Sequence, residues 1–330
     1  MLYTTLPDPA EPLDFDTAYA GFATMLDGVP SDGEIQYFLT EMTEREETAT
    51  EIAAAATAMR ERLIPINAPE GAIDVCGTGG DGHLTLNVST AVAIAVAAAG
   101  VPVAKHGNRA ASSRSGAADT LEWIGLDMTR AGAEAEASLA ELGICFLFAA
   151  NHHPAMKRIT PIRKRIGRRT IFNLMGPLSN PARVRRQLIG IARPSYVPIY
   201  AEALDRLGAD GAMIASGEEA LDEISVAGPS RLGCIGDVDA GERVVPEDAG
   251  LGRHPVTAIR GGDPDINGAA LLRLLGGDAG AYRDAVLLNS AAALIVAGRT
   301  ADWAEGAAIA AESIDSGAAK ALLERWIDFH

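Results

Sequence analysis

Apolar residues recur at helical spacing over 15–26, 32–44 and 48–63, with no strand-like run among them. This pattern predicts three lead helices forming a small all-helical unit. Residues 64–69, Ile-Pro-Ile-Asn-Ala-Pro, punctuate the chain as a linker. From Ala72 the pattern changes to short apolar runs alternating with longer amphipathic ones. Candidate strands are 72–76, 101–104, 144–149, 187–192 and 211–216. Candidate helices lie near 90–99, 117–124, 131–142 and 196–207. Such alternation predicts an α/β fold with a mostly parallel central sheet flanked by helices, beside the small all-helical domain. Residues 154–181 interrupt it with one or two proline-bounded helices. After Gly228 the pattern is less legible until 267–275, 279–298, 303–316 and 317–328, which read as closing helices. No internal repeat or coiled coil is present.

The densest chemistry follows the first two predicted strands. The run 72–76 stops at Gly77-Thr78-Gly79-Gly80-Asp81-Gly82, four glycines in six positions. Such a loop exposes backbone N–H groups and lets an anion approach the main chain. Asn87, Ser89 and Thr90 can cap the helix that follows, and its positive dipole end points back at the loop. The run 101–104 delivers Lys105-His106-Gly107-Asn108-Arg109, then a second polar turn, Ser112-Ser113-Arg114-Ser115-Gly116. Two strand ends thus bring anion-binding groups to what can be one crevice at the carboxyl edge of the sheet.

Composition narrows the ligand. The 330-residue chain has 44 acidic and 28 basic side chains and a net charge of −16. An acidic surface repels nucleic acid and anionic membranes. Residues 151–200 run against this, with eleven Lys and Arg and no Asp or Glu. That segment reads as a local field for a small anion, although most of its arginines can equally be solvated surface. Cys76, Cys145 and Cys234 form no paired motif, so a reducing compartment is expected. The early prolines and acids do not resemble a signal peptide, and no apolar run approaches the roughly 20 residues of a membrane span. The expected location is cytoplasmic.

GTGGD, NVST and KHGNRAASSRSGAADTLEWIG together resemble the anthranilate phosphoribosyltransferases of tryptophan biosynthesis. The likeness extends through HPAMKRITPIRKRIGRRTIFNLMGPLSNPA and LDEIS and covers about residues 15–330. It implies transfer of the phosphoribosyl group of 5-phosphoribosyl 1-diphosphate to the amine of anthranilate, with magnesium, two ions per active site. It also implies a helical N-terminal domain over 1–68, joined in space by about 154–183. The α/β donor-binding domain then comprises 69–153 and 184–330. The implied donor-binding residues are Gly77, Gly80, Asp81, Thr85, Asn87, Val88, Ser89, Thr90, Lys105, His106, Gly107, Asn108, Arg109, Ala110, Ala111, Ser112, Ser113 and Ala117. Anthranilate falls to Gly77, Asn108 and Arg163, and magnesium to Ser89, Asp222 and Glu223. A planar guanidinium suits a carboxylate, and hard carboxylates beside phosphates suit magnesium.

No general base stands out. An aromatic amine is weakly basic and can lose its proton after the C–N bond forms, so positioning and charge stabilisation are expected to carry catalysis. His106 is kept as a candidate base, and His106 and His153 as candidate wall residues. Some positions depart from the family pattern: Ala117 for a serine, Ser216 and Ala220 for histidine and glycine, and Arg165-Ile166 for Glu-Leu. Two alternatives stay open at this point, a pyrimidine nucleoside phosphorylase and a non-catalytic nucleic-acid-binding relative. The lead helices carry more apolar surface than a three-helix arm can bury, which predicts a homodimer through them.

Overall fold

The structure, a computed structural model, describes residues 5–110 and 114–329. The three lead helices are α1 (Phe15–Leu26), α2 (Asp32–Glu44) and α3 (Ala49–Arg60). Each starts on a side chain that accepts a free amide. Asp14 serves α1, and the reciprocal pairs Ser31/Glu34 and Thr48/Glu51 serve α2 and α3. Glu51 is fully buried and also accepts from Leu13 N at 2.9 Å and from Arg45.

Next in chain order come β1 (Ile73–Gly77), α4 (Val88–Ala98), β2 (Val103–Gly107), α5 (Ala117–Trp123), α6 (Met128–Ala133), α7 (Ala135–Leu142) and β3 (Ile144–Phe148). The short α8 (Ala149–His152), α9 (Met156–Ile166) and α10 (Met175–Leu178) occupy the proline-bounded interruption. The chain then returns to the sheet with β4 (Arg186–Gly190), α11 (Val197–Arg206) and β5 (Gly211–Gly217). It finishes with β6 (Ser230–Gly236), β7 (Arg243–Val244), α12 (Pro264–Leu275), α13 (Ala281–Val296), α14 (Trp303–Asp315) and α15 (Ala318–Ile327).

The strand order is β3-β2-β1-β4-β5-β6-β7. The first five are parallel, and β6 and β7 add an antiparallel edge. The sequence did not signal this edge, because β6 carries Arg231, Gly233 and Gly236 and lacks an apolar run. Two differences affect the reading of the site. The second strand starts at Val103, not at residue 101, and extends to Gly107, so Lys105 and His106 lie in β2, not in a loop. The predicted helix 131–142 is two helices that meet at Glu134.

Both faces of the sheet are covered, as expected for parallel strands. On β4 and β5, Leu188, Met213 and Ala215 face a core built with α4, α13, α14 and α15. Ile189, Ala212 and Ile214 face a second core shared by α1, α2, α3, α9, α10 and α11. The interrupting segment therefore packs with the lead helices. β1, β2, β4 and β5 each end on glycine, and all four ends open on the same rim.

Candidate active site

A cleft of about 380 Å³ lies at that rim. Every residue that the sequence assigns to donor, anthranilate or magnesium within the described part lines it: Gly77, Gly80, Asp81, Thr85, Asn87 to Thr90, Lys105 to Ala110, Ala117, Arg163, Asp222 and Glu223, whereas the candidate wall residue His153 does not line it and packs against His106. Ala111, Ser112 and Ser113 lie outside the described residues. Thr78, Ser115, Gly116, Ala149, Phe172, Asn173, Gly176 and Pro177 line it as well, beyond the residues that the sequence singles out. Sequence offers a signal for Ser115 and Gly116, which close the polar turn already noted, but none for Phe172 or Ala149.

The glycine loop owes its shape to left-handed backbone at Gly79, Gly80 and Gly82. It is held from behind by Thr78 N donating to Gly190 O at 2.9 Å and Gly79 N donating to Asp222 Oδ2 at 2.6 Å. Asp81 accepts from His83 N at 3.1 Å through Oδ1, while its buried Oδ2 has no hydrogen-bond partner among the described residues. Beyond the loop, α4 starts without a side-chain cap: Asn87 stands at the capping position but makes no capping bond. Within that first turn Val88 N donates to Leu86 O at 2.8 Å and Ser89 N to Glu223, so among the described residues the Thr90 amide is left for the cleft, at a helix end that suits a phosphate group.

Asp222 and Glu223 sit on the turn after β5, against the glycine loop. Burial, reinforced by the nearby Asp81, pushes the Asp222 carboxyl up. Burial and then Asp222 do the same for Glu223, which also accepts from the backbone N–H of Ser89. Two enclosed carboxyls beside a third, Asp81, form a site that gains from a positive charge. Among the described residues, no group of three His, Cys, Asp or Glu side chains could cage a metal alone. The oxygen-only pair with an adjacent serine hydroxyl nevertheless fits magnesium, which retains waters and takes phosphate oxygens.

Lys105 is almost wholly buried, with its Nζ donating to Val75 O at 2.8 Å and Ser89 Oγ at 3.2 Å. Its nearest counter-charges are Asp74 and Glu223. Asp74, fully buried in β1, accepts from His106 N at 3.1 Å. Sequence reasoning missed this buried acid, because a single Asp inside an apolar run gives no signal. Burial pushes the Asp74 carboxyl up and the Lys105 ammonium down, while each opposes the other's shift.

His106 Nδ1 lies 2.8 Å from Gly176 O, a group that only accepts, so Nδ1 carries the proton. Its Nε2 faces His153 Nε2 at 3.2 Å. Burial, and secondarily the neighbouring imidazole, lowers His106 to about 3, and burial lowers His153 to about 4. Both rings are neutral at physiological pH, and both nitrogens of His106 are engaged.

The basic segment resolves into two groups. Arg158 and Arg165 reach Asp32, Arg168 reaches Glu44 and Arg193 reaches Glu46, tying 158–193 to the lead helices. Arg185 and Arg186 pair with Asp210 and Asp237. Arg163 is different. It is half-buried on the cleft wall, its guanidinium lies 6.0 Å from the Phe172 ring centre, and among the described residues it has no hydrogen bond or ion pair. Arg165, one of the departures from the family pattern, points to Asp32 at 2.5 Å and does not line the cleft.

The chain matches the glycosyl transferase family twice, in its helical bundle domain over residues 8–63 and in its a/b domain over 69–320. It is 63% identical to an anthranilate phosphoribosyltransferase of Novosphingobium aromaticivorans, over 98% of each chain. It is 64% identical to that of Sphingopyxis alaskensis, again over 98% of each. The crystal structure of the Thermus thermophilus anthranilate phosphoribosyltransferase superposes with a TM-score of 0.90 at 42% identity, covering 97% of this chain and 96% of that one. The Saccharomyces cerevisiae enzyme in complex with PRPP and Mg does so at 0.83 and 29%, covering 95% and 91%. With near-complete coverage on both sides and the glycine loop, α4 terminus, Arg163 and acidic turn in one cleft, the chain belongs to the anthranilate phosphoribosyltransferase family.

Proposed function

We propose that the protein transfers the phosphoribosyl group of 5-phosphoribosyl 1-diphosphate to the amine of anthranilate. The products are N-(5-phosphoribosyl)anthranilate and diphosphate. The observation that carries this reading is Arg163, unpaired among the described residues, on the wall of the cleft that also holds the α4 terminus without a side-chain cap and the Asp222–Glu223 turn. One end of the cleft suits phosphate and a divalent cation, and the other suits a small carboxylate. A nucleoside phosphorylase has no need of the second feature, and the net charge of −16 argues against a nucleic-acid binder.

In this reading the Thr90 amide at the start of α4, the glycine-loop backbone, the side chains of Asn87, Ser89 and Thr90, and the segment 105–113 hold the donor. Arg163 grips the acceptor carboxylate through a two-pronged hydrogen bond, and Asn108 and Gly77 border the acceptor. Ser89, Asp222 and Glu223 would hold magnesium, two ions per site. The chemistry that bound magnesium supplies is charge stabilisation on the departing diphosphate oxygens. His106 acts as a neutral wall rather than a base, since its Nδ1 proton is given to Gly176 O and its Nε2 faces His153. Catalysis then rests on alignment of the amine with ribose C1 and on stabilisation of the leaving group.

Anthranilate fluorescence followed with the donor, with and without magnesium, tests the reading. Magnesium-dependent decay that is lost in Asp222→Ala/Glu223→Ala is expected. No decay from folded, donor-binding protein would reject anthranilate as the acceptor. The protein is further proposed to be a cytoplasmic homodimer through the lead helices, where Phe15, Val29 and Tyr37 are exposed. A monomer mass by light scattering at micromolar concentration would overturn the dimer.

A further inference from the structure

Asn87 precedes α4 at the position where an asparagine oxygen ordinarily accepts from the first free helix amides. Here the oxygen is engaged elsewhere. It accepts from Asn267 Nδ2 at 2.8 Å and from Thr120 Oγ1 at 2.5 Å. Asn267, on α12, is 180 residues away in sequence and 1% exposed. Thr120, on α5, is fully buried.

The orientation of both amides follows from one backbone group. Gly262 N–H can only donate, and it lies 2.8 Å from the Asn267 side-chain oxygen. The Asn267 NH₂ must therefore face Asn87, and Asn87 must present its oxygen in return. The Asn87 NH₂ is left on the other side, 3.4 Å from Ser115 O, at the cleft wall. Thr120 supports the same orientation. It gives its proton to Asn87 and receives one from Ser115 Oγ at 2.8 Å. Meanwhile the backbone oxygen of Asn87 accepts from Ala91 N at 3.2 Å and Tyr282 Oη at 3.1 Å, so the residue is fixed at both ends.

We propose that Asn267 is a positioning residue for donor binding. It holds the Asn87 oxygen away from the α4 terminus, so that the Thr90 amide, which has no partner among the described residues, stays free for phosphate. Without Asn267, the Asn87 side chain turns to the Thr90 amide and competes with the donor. The proposal rests on the reading above that the α4 terminus takes a phosphate group of the donor.

The test is a double-mutant cycle read by calorimetry with 5-phosphoribosyl 1-diphosphate and magnesium. Asn267→Leu and Asn267→Asp are each expected to weaken donor binding about tenfold. In both, kcat at saturating donor and KM for anthranilate should stay within about twofold. In an Asn87→Ala background, which lacks the competing oxygen, Asn267→Leu should add less than about a twofold loss. Additive losses, or wild-type donor binding in Asn267→Asp, would overturn the proposal. The aspartate variant keeps the size of the side chain and its acceptor for Gly262 N–H, so it carries the test should the leucine variant not fold. Failure of the underlying reading looks different: wild-type protein then binds no donor, or Asn87→Ala binds it as wild type does.

Discussion

The backbone oxygen of Asp222 occupies the space a side chain on Gly190 would need: a Cβ built there would overlap it. Gly77, on the neighbouring strand, stands in the same relation to Asp222 Oδ2, at 2.6 Å. The acidic turn is laid across two strand ends that must both be bare. Gly190→Ala is therefore expected to push the turn off the sheet. A displacement near 1 Å costs on the order of a hundredfold in kcat, and neither excess magnesium nor excess donor should restore it. Steady-state kinetics with a magnesium titration checks this. Turnover within threefold of wild type would mean that the turn is free to move.

Among the described residues Arg163 has no carboxylate partner although it is half-buried, and burial lowers its pKa from an otherwise very high value. Replacing it removes a charge-assisted interaction with the acceptor, worth about 1.5–3 kcal/mol or roughly ten- to a hundredfold. Arg163→Gln should raise KM for anthranilate by that factor and leave donor affinity by calorimetry within about twofold. Arg163→Lys should recover only part of the loss, because an ammonium cannot form the two-pronged bond. Equal losses for both substrates would place Arg163 outside the acceptor end.

Much of this cleft was legible because its parts come from short, compositionally unusual stretches. Four glycines in six positions, or an Asp-Glu pair after an apolar run, are visible without neighbours. The relationships that set their geometry were not visible. Asn267 meets Asn87 and Asp74 meets Lys105 across distant segments, and each is a single polar residue inside an ordinary helix or strand. The helical lead unit was legible for the same local reason, since caps and apolar spacing lie within each helix. The β6–β7 edge was not, because its strands are short, glycine-bearing and partly exposed. The basic segment illustrates the ambiguity. Its arginines look alike in sequence, yet four tie down the lead helices and Arg163 faces the cleft.

The His106–His153 pair gives a stability signature with a definite sign. Both folded pKa values, about 3 and about 4, lie below the ordinary value near 6.5. Below pH 6.5 the unfolded chain takes up protons that the folded chain refuses, so stability falls as pH drops from about 6.5 towards 4. Above 6.5 the contribution is fully present. Replacing His153 with asparagine should flatten the acid limb of the denaturant midpoint between pH 6.5 and 4. It should leave the pH dependence of kcat above pH 6.5 unchanged, because neither ring titrates there in the folded protein. A kcat limb near pH 6–7 that disappears in His106→Asn would instead make His106 an acid–base group.

Ala220 is one of the departures from the family pattern, standing where glycine is common, and its φ is +64°. It closes the turn between β5 and Asp222, with its own N–H donating to Gly217 O at 2.9 Å. Left-handed backbone costs a residue with a Cβ about 1–2 kcal/mol. Glycine relieves that but loses about 0.4–1 kcal/mol through its freer unfolded chain. Ala220→Gly should therefore stabilise the protein by on the order of 0.5–1 kcal/mol, read as a higher urea midpoint at unchanged slope. Activity is the more informative readout. The preceding residue, Glu219, offers its backbone oxygen to His83 Nε2 at 2.9 Å, so this turn also braces the glycine loop. If the alanine serves to stiffen that brace, Ala220→Gly should raise KM for the donor about two- to fivefold while KM for anthranilate holds. A more stable variant with both constants unchanged would show that the left-handed alanine is strain without a kinetic role.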